Sequence, residues 1–285
     1  LEVGTVFPGA FVAQLLPQRR DFYLVSYAYG DDVLRPQSIW YAAPIFRQFL
    51  KRVDLFVAIS RYTKELLIKA GASPDRIVVI HPPIDQERFS KHGDRASIKA
   101  MLPPHDLILL TICRLSEKKG VDRVIEIMPR LKRRFPGLLY VVGGDGEDLP
   151  RLQMLAKKHN VADSVIFLGR VPQARLVDVY AAGDVFVMPT RADPCRGSVE
   201  GFGIAFLEAG SQGLPVIGPK EGGSADAIID GVSGWLVDAY NSEELEERII
   251  ELLRDPDLRR RMGEEGKKRA FQPTDWSPLL YLGEA

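Results

Sequence analysis

Short apolar runs rich in β-branched residues alternate with stretches of helical periodicity along nearly the whole chain, the pattern of parallel sheets wound with helices. The pattern predicts an α/β fold. In the first part, strands are expected at residues 22–28, 55–59 and 76–80, with helices over 39–52 and 62–70. The stretch His81-Pro-Pro-Ile-Asp-Gln-Glu-Arg-Phe89 and the polar residues 90–95 interrupt the alternation and read as an interdomain linker, so a first domain is assigned to residues 1–92. Beyond it the alternation is more regular. Strands are expected at 107–112, 138–142, 165–168, 185–188, 215–217 and 235–237, enough for a complete Rossmann-like domain over 93–270. Its last stretch, 242–270, is helical by pattern, capped by Asn241 and broken at Pro256. The first part has two or three strands, about half of such a domain. Residues 271–285, with Trp276 and a proline-rich composition, are expected to cross back onto the first domain.

Composition narrows the function. The 285 residues are 46% hydrophobic and 27% charged, with zero formal net charge and a pI near 7.1, so the basic excess of a nucleic-acid binder is missing. No apolar run approaches the ~18 residues of a membrane span. No secretory signal is visible either, although the chain opens at Leu1 without a Met. Cys113 and Cys195 lack the spacing of a zinc or redox motif, read as structural, and fit a reducing cytosol.

The chemistry concentrates in Glu200-Gly-Phe-Gly-Ile-Ala-Phe-Leu-Glu208, two carboxylates around a glycine-bracketed helix start. Eight helical residues would separate them by about 12 Å along the axis, so they are expected to grip different parts of one long ligand. Gly201 and Gly203 keep side chains off the first turn, whose free N–H groups can meet an anion or a hydroxyl-rich ring. Two glutamates on a helix are ordinarily a solvated face. Glu208, however, lies in the apolar run 204–210, where an unpaired charge is expensive to bury. A carboxylate offers only acceptors and suits the vicinal diol of a ribose. After the expected strand 107–112 comes Arg114-Leu-Ser-Glu-Lys-Lys-Gly120, which sets Arg114 and Lys119 at the carboxyl end of a parallel strand, where they suit a diphosphate. Gly143-Gly-Asp-Gly146, after the next strand, is a turn of minimal bulk that lacks full dinucleotide spacing, and no G-x-G-x-x-G supports an NAD dehydrogenase.

Taken together these motifs resemble the family-four retaining glycosyltransferases of the GT-B fold, in particular the phosphatidylinositol mannosyltransferase-like branch. The ordered pieces are Ala58-Ile-Ser-Arg-Tyr-Thr63, Ile84-Asp85 with Phe89, Arg114 through Gly120, Gly144-Asp-Gly146, residues 176–189, Glu200 to Glu208, and Gly213-x-Pro215-Val-Ile217 with Gly222-Gly223. The resemblance implies two Rossmann-like domains facing across a cleft, the first incomplete, with about a hundred residues absent judged against an ordinary domain. It implies that Arg114 and Lys119 hold the donor diphosphate, Glu208 the ribose and Glu200 the hexose. Arg170 and Val171 would face the base, while Gly144, Gly201, Phe202 and Gly203 approach the ligand by backbone. It further implies a metal-independent hexosyltransferase with no cofactor and no protein nucleophile. The donor is a nucleoside-diphosphate sugar, GDP-mannose favoured over UDP-glucose, and the acceptor a glycan, lipid or small molecule. The location is cytoplasmic, with peripheral contact at the inner face of the membrane as an option; the oligomeric state is left open.

The chain departs from the family where His-Gly-x-Asp is usual and Tyr29-Gly30-Asp31-Asp32 stands instead, and at Asp226, where Glu is usual. Asp31-Asp32 is read as a turn or helix start rather than a metal pair. The loop Arg191-Ala-Asp-Pro-Cys-Arg-Gly-Ser-Val-Glu200 is long for a strand-to-helix link, and Arg61 with Lys64 offers cations to an anionic acceptor, though a solvated helix start is the commoner case. Two alternatives stay beside the transferase: a sugar-nucleotide epimerase on the same fold, and a non-catalytic nucleotide-sugar-binding protein.

Overall fold

The computed structural model describes residues 2–6, 9, 23–37, 39–192 and 198–274. Cys195 and Trp276, with the expected C-terminal crossing segment beyond residue 274, lie outside the described residues. Two wholly parallel sheets form. The first runs β1 (Glu2–Val3), β2 (Val25–Ala28), β3 (Leu55–Ala58), β4 (Ile77–Val79) in that order. The second has six strands, β5 (Leu107–Ile112), β6 (Leu138–Gly143), β7 (Val165–Gly169), β8 (Val185–Val187), β9 (Val216–Pro219) and β10 (Gly234–Val237), ordered β10-β9-β8-β5-β6-β7. The chain therefore reverses direction of progress between β5 and β8, and the crevice at the carboxyl ends there is where open α/β sheets take ligands. This is the expected α/β architecture of two facing Rossmann-like halves.

The helices are α1 (Asp31–Gln37), α2 (Ala42–Arg52), α3 (Arg61–Ala70), α4 (Gln86–Phe89), α5 (Arg95–Lys99), α6 (Val121–Arg134), α7 (Leu149–Lys158), α8 (Leu176–Ala182), α9 (Ile204–Ser211), α10 (Ser224–Ala227), α11 (Ser242–Arg254) and α12 (Pro256–Ala270). The cap at Asn241 and the break at Pro256 form as the pattern predicts: Asn241 accepts from the N–H groups of Glu243 and Glu244, and Asp255 caps the helix that Pro256 opens. Strands of the second sheet are buried on both faces, with Val124, Ile127, Met128 and Leu131 of α6 on one side and Tyr180, Phe186 and Phe206 on the other.

Three expectations change. The first sheet has a fourth strand, β1, whose two residues are too few to carry a periodic pattern and which is held by register with Val25 and Ser26. The helix expected over 39–52 begins at Ala42, and a separate helix, α1, precedes it. The stretch expected as a plain linker contains α4, capped by the Asp85 carboxylate on the Arg88 N–H.

Candidate active site

The loops after β5, β6 and β7 are sewn together by backbone. Cys113 N–H donates to the Gly143 carbonyl, Leu115 N–H to Asp145 and Gly144 N–H to Gly169. Gly144 has φ +129°, and any side chain there would collide with the Cys113 carbonyl, so the glycine turn exists first to let two loops touch. The loops and α8 and α9 enclose a cavity of about 520 Å³ lined by Arg114, Gly144, Arg170, Val171, Tyr180 and Glu208, among others. That volume suits a nucleotide-sized ligand. Five of the ten residues selected from the sequence thus meet in one cavity.

Glu208 lies one turn into α9, and its Oε2 accepts from the buried Tyr180 hydroxyl at 2.7 Å. Burial pushes the Glu208 carboxyl above its ordinary range, against the Tyr180 hydrogen bond and the Arg88 charge, which pull it down. Cys113 also lines the cavity; burial drives its thiol up to about 12, so it stays protonated and unreactive. Arg114 is 77% exposed and pairs with Glu147 at 3.1 Å, at the cavity rim.

The other five selected residues form a second group between the sheets. Lys119 Nζ donates to Glu200 Oε2 at 2.6 Å, and both side chains are largely buried. Lys119 lies five residues beyond the cavity-lining Arg114 on the loop after β5, which sets this pair near the cavity. The helix does not start at Glu200: α9 begins at Ile204 behind an N-cap Gly203 of φ +87° that supplies no capping side chain. The separation of Glu200 and Glu208 is therefore not eight residues of helical rise, because the backbone from 200 to 203 is held in a turn. At Gly201 a side chain would strike the Tyr29 carbonyl from the first half. Phe202 is buried and its ring lies 5.4 Å from that of His81.

The sequence reading missed the groups that join the two halves. Asp31 Oδ1 accepts the Val199 N–H at 2.6 Å and its Oδ2 pairs with Lys118 Nζ at 2.9 Å. Asp32 is the helix-start feature expected, accepting from the N–H groups of Tyr29 and Gly30 at 2.8 and 2.9 Å. Arg61, offered to an anionic acceptor, is instead committed: its N–H and Nε donate to Asp226 at 2.6 and 2.5 Å, and His81 joins the same carboxylate at 3.3 Å. Tyr180 was hidden in an apolar helix pattern, and nothing in Asp226, Arg61 and His81 as isolated residues signals their meeting.

Residues 94–269 match the family profile described as glycosyl transferases group 1, and residues 3–88 that of glycosyltransferase family 4. The chain belongs to the group 1 glycosyl transferases. Among its curated relatives, this group 1 glycosyl transferase is 30% identical over 279 residues to a GDP-mannose-dependent alpha-(1-6)-phosphatidylinositol monomannoside mannosyltransferase of Mycolicibacterium smegmatis, covering 96% of this chain and 72% of that one. It is 33% identical over 227 residues to a D-inositol 3-phosphate glycosyltransferase of Nocardia farcinica, covering 76% and 49%. Its fold is that of Anabaena HepE in complex with UDP-glucose, with a TM-score of 0.81 at 22% identity over 98% of this chain and 75% of that one. It is equally that of sucrose-phosphate synthase from Thermosynechococcus elongatus, with a TM-score of 0.82 at 21% identity over 99% and 71%. This glycosyl transferase accordingly has the GT-B fold. Among the described residues no helix is long and apolar enough to cross a membrane.

Proposed function

We propose that this glycosyl transferase moves a hexose, mannose in preference to glucose, from a nucleoside-diphosphate sugar to an acceptor hydroxyl on a glycan, lipid or small molecule, with retention of configuration and without a metal ion. The observation that carries the reading is the Glu208 carboxylate. It is held against the Tyr180 hydroxyl on the wall of the cavity, an acceptor-only group where a ribose diol would bring donors. The base would lie along Arg170 and Val171, and the phosphates toward Arg114 and Gly144. Arg114 can exchange Glu147 for a diphosphate at little cost, since solvent screens so exposed an ion pair. Lys119 and the uncapped N-terminus of α9 then stabilise the leaving phosphate as its charge grows, which makes a metal unnecessary. Glu200 accepts from hexose hydroxyls. As the family resemblance implies, the departing phosphate takes the acceptor proton while the new bond forms on the same face. We place the division between the donor half and the acceptor half at residues 92 and 93. GDP-mannose and a lipid acceptor are favoured by the names of the mannosyltransferase relatives, and work at the cytoplasmic face of a membrane is part of the same proposal.

Calorimetry with GDP, UDP, ADP and NAD on this chain and on Glu208→Ala tests the donor site. GDP is expected to bind best, and to lose about tenfold or more in the variant, the scale of a hydrogen bond to a charged group. Equal affinity in both proteins would sink the assignment. Incubation with GDP-mannose and acceptor then reads the chemistry: a glycoside keeping the donor's anomeric configuration is expected, and an inverted linkage would exclude retention. Tyr29, where the family carries His, favours one second reading, a nucleotide-sugar-binding protein that turns nothing over. Nucleotide binding with no product and no altered donor would select it, and an altered donor without acceptor would select an epimerase.

A further inference from the structure

The segment that carries Glu200 is embedded in the first half of the molecule. Val199 is 4% exposed, and its side chain sits in the apolar cluster of the first sheet with Val33, Phe46 and Ala58. Its N–H is taken by Asp31 Oδ1 at 2.6 Å, and the second oxygen of that carboxylate takes Lys118 Nζ at 2.9 Å. Val199 immediately precedes Glu200, and Lys118 immediately precedes Lys119. Those two successors form the 2.6 Å pair near the cavity. One carboxylate from the first half therefore holds the residue before each member of the pair.

Neither capping nor stability accounts for this arrangement. Asp31 does not hold the start of α1: the N–H groups of Tyr29 and Gly30 before the helix go to Asp32. The Asp31 to Lys118 pair, with side chains 39% and 29% exposed, is screened by solvent and adds little to stability. The cationic turn is also braced from its other side. Arg191 donates its N–H to the Lys118 carbonyl at 2.7 Å, and its guanidinium meets Asp122 at 3.0 Å. With the Lys118 backbone fixed by Arg191 and its ammonium by Asp31, Lys119 is the cation left to face Glu200.

We propose that Asp31 is a positioning residue that carries the approach of the first half to the donor site, setting the Lys119 and Glu200 side chains through Val199 and Lys118. The inference rests on the proposed reading of these two residues as ligands of the donor phosphate and hexose. The nucleotide cavity, in contrast, is lined by residues of the second half alone. Removing Asp31 should weaken GDP binding far less than it slows transfer, because the residues that line the cavity stay in place, a division that a purely structural role does not give.

The experiment compares wild type, Asp31→Ala, Asp31→Asn and the double variant Asp31→Ala/Lys118→Ala, using GDP calorimetry, transfer kinetics and amide hydrogen exchange. In Asp31→Ala, kcat is expected to fall about tenfold to a hundredfold, as for misplaced reacting groups, with the GDP dissociation constant within about threefold of wild type, less than the tenfold that 1.4 kcal/mol represents. Asp31→Asn retains an acceptor for Val199 but not the Lys118 pairing, so it should lie between. The double variant should be little worse than Asp31→Ala, because the two residues act as a unit. Exchange at residues 198–203 should quicken in Asp31→Ala, a readout that needs no turnover. Unchanged exchange, unchanged kcat, or GDP binding lost together with kcat at an unaltered melting temperature would each overturn the proposal. Wild type that binds no GDP would instead overturn the donor-site reading, and the exchange result would still decide whether Asp31 holds the segment.

Discussion

Glu208 shows how a binding residue can oppose the stability of its own fold. Burial raises its pKa, so the folded state favours the protonated form; the stability this contributes is present below the ordinary value of 4.5 and is lost as pH rises through the raised one. Above that raised value the carboxylate is charged in a site that prefers it neutral. Glu208→Gln keeps an oxygen for the Tyr180 hydroxyl and removes the charge. The free protein should therefore gain stability, while nucleotide affinity drops. Differential scanning calorimetry with and without GDP checks both halves of the statement. A variant that loses stability, or that keeps full affinity, would show that Glu208 serves packing instead.

The turn between Val199 and α9 is the element on which the two sheets meet. Gly201 lies under the Tyr29 carbonyl, and Gly223 N–H donates to the Glu200 carbonyl at 2.7 Å, so the turn is gripped by backbone from two directions. Gly201→Ala has no flexible side chain to displace. It should cost about 1–3 kcal/mol, as overpacking does, and slow transfer while GDP still binds, since the cavity lies in the second half. Thermal unfolding with GDP calorimetry tests this, and an unaffected melting temperature would mean that the halves separate more easily than the contact implies. Elements were legible where one sheet supplies its own pattern: β5 spans the expected 107–112, and the apolar runs of β6 and β10 were placed within a residue of their ends. In the first sheet the pattern fails for β1, which is too short to have one, and for α1, whose helical start depends on Asp32 side-chain bonds. The site was legible in the same measure. Glycines and charges set in apolar runs marked Glu208, Lys119 and Gly144, but Asp31, Tyr180 and His81 acquire meaning only from partners at least 28 residues away.

At the scale of the whole molecule, one carboxylate ties the halves on the side opposite in sequence to Asp31. Asp226 of α10 is 6% exposed; burial alone would raise its pKa, but His81, the Arg61 N–H and the Arg61 guanidinium outweigh that and hold it down to about 2. A folded pKa below the ordinary 3.8 means stability that is complete above 3.8 and lost as pH falls through about 2. The shift, from 3.8 to about 2, corresponds to about 2.5 kcal/mol at most. Glu208, and Asp32, which burial also raises, act in the opposite sense: each gains stability on protonation at higher pH. Acidification from neutrality should therefore first stabilise the protein and then, below 3.8, destabilise it. Melting temperatures across this range separate the contributions. Glu208→Gln should flatten the rise, whereas Asp226→Asn should flatten the acid fall and lower stability at neutral pH, because the amide keeps one acceptor oxygen and loses the charge and second oxygen that Arg61 and His81 use. Arg61→Ala should do less, because its side chain is 74% exposed and the backbone N–H of residue 61 still donates to Asp226. If Asp226→Asn keeps the wild-type acid limb, the tie between Arg61, His81 and Asp226 does not carry the contact between halves.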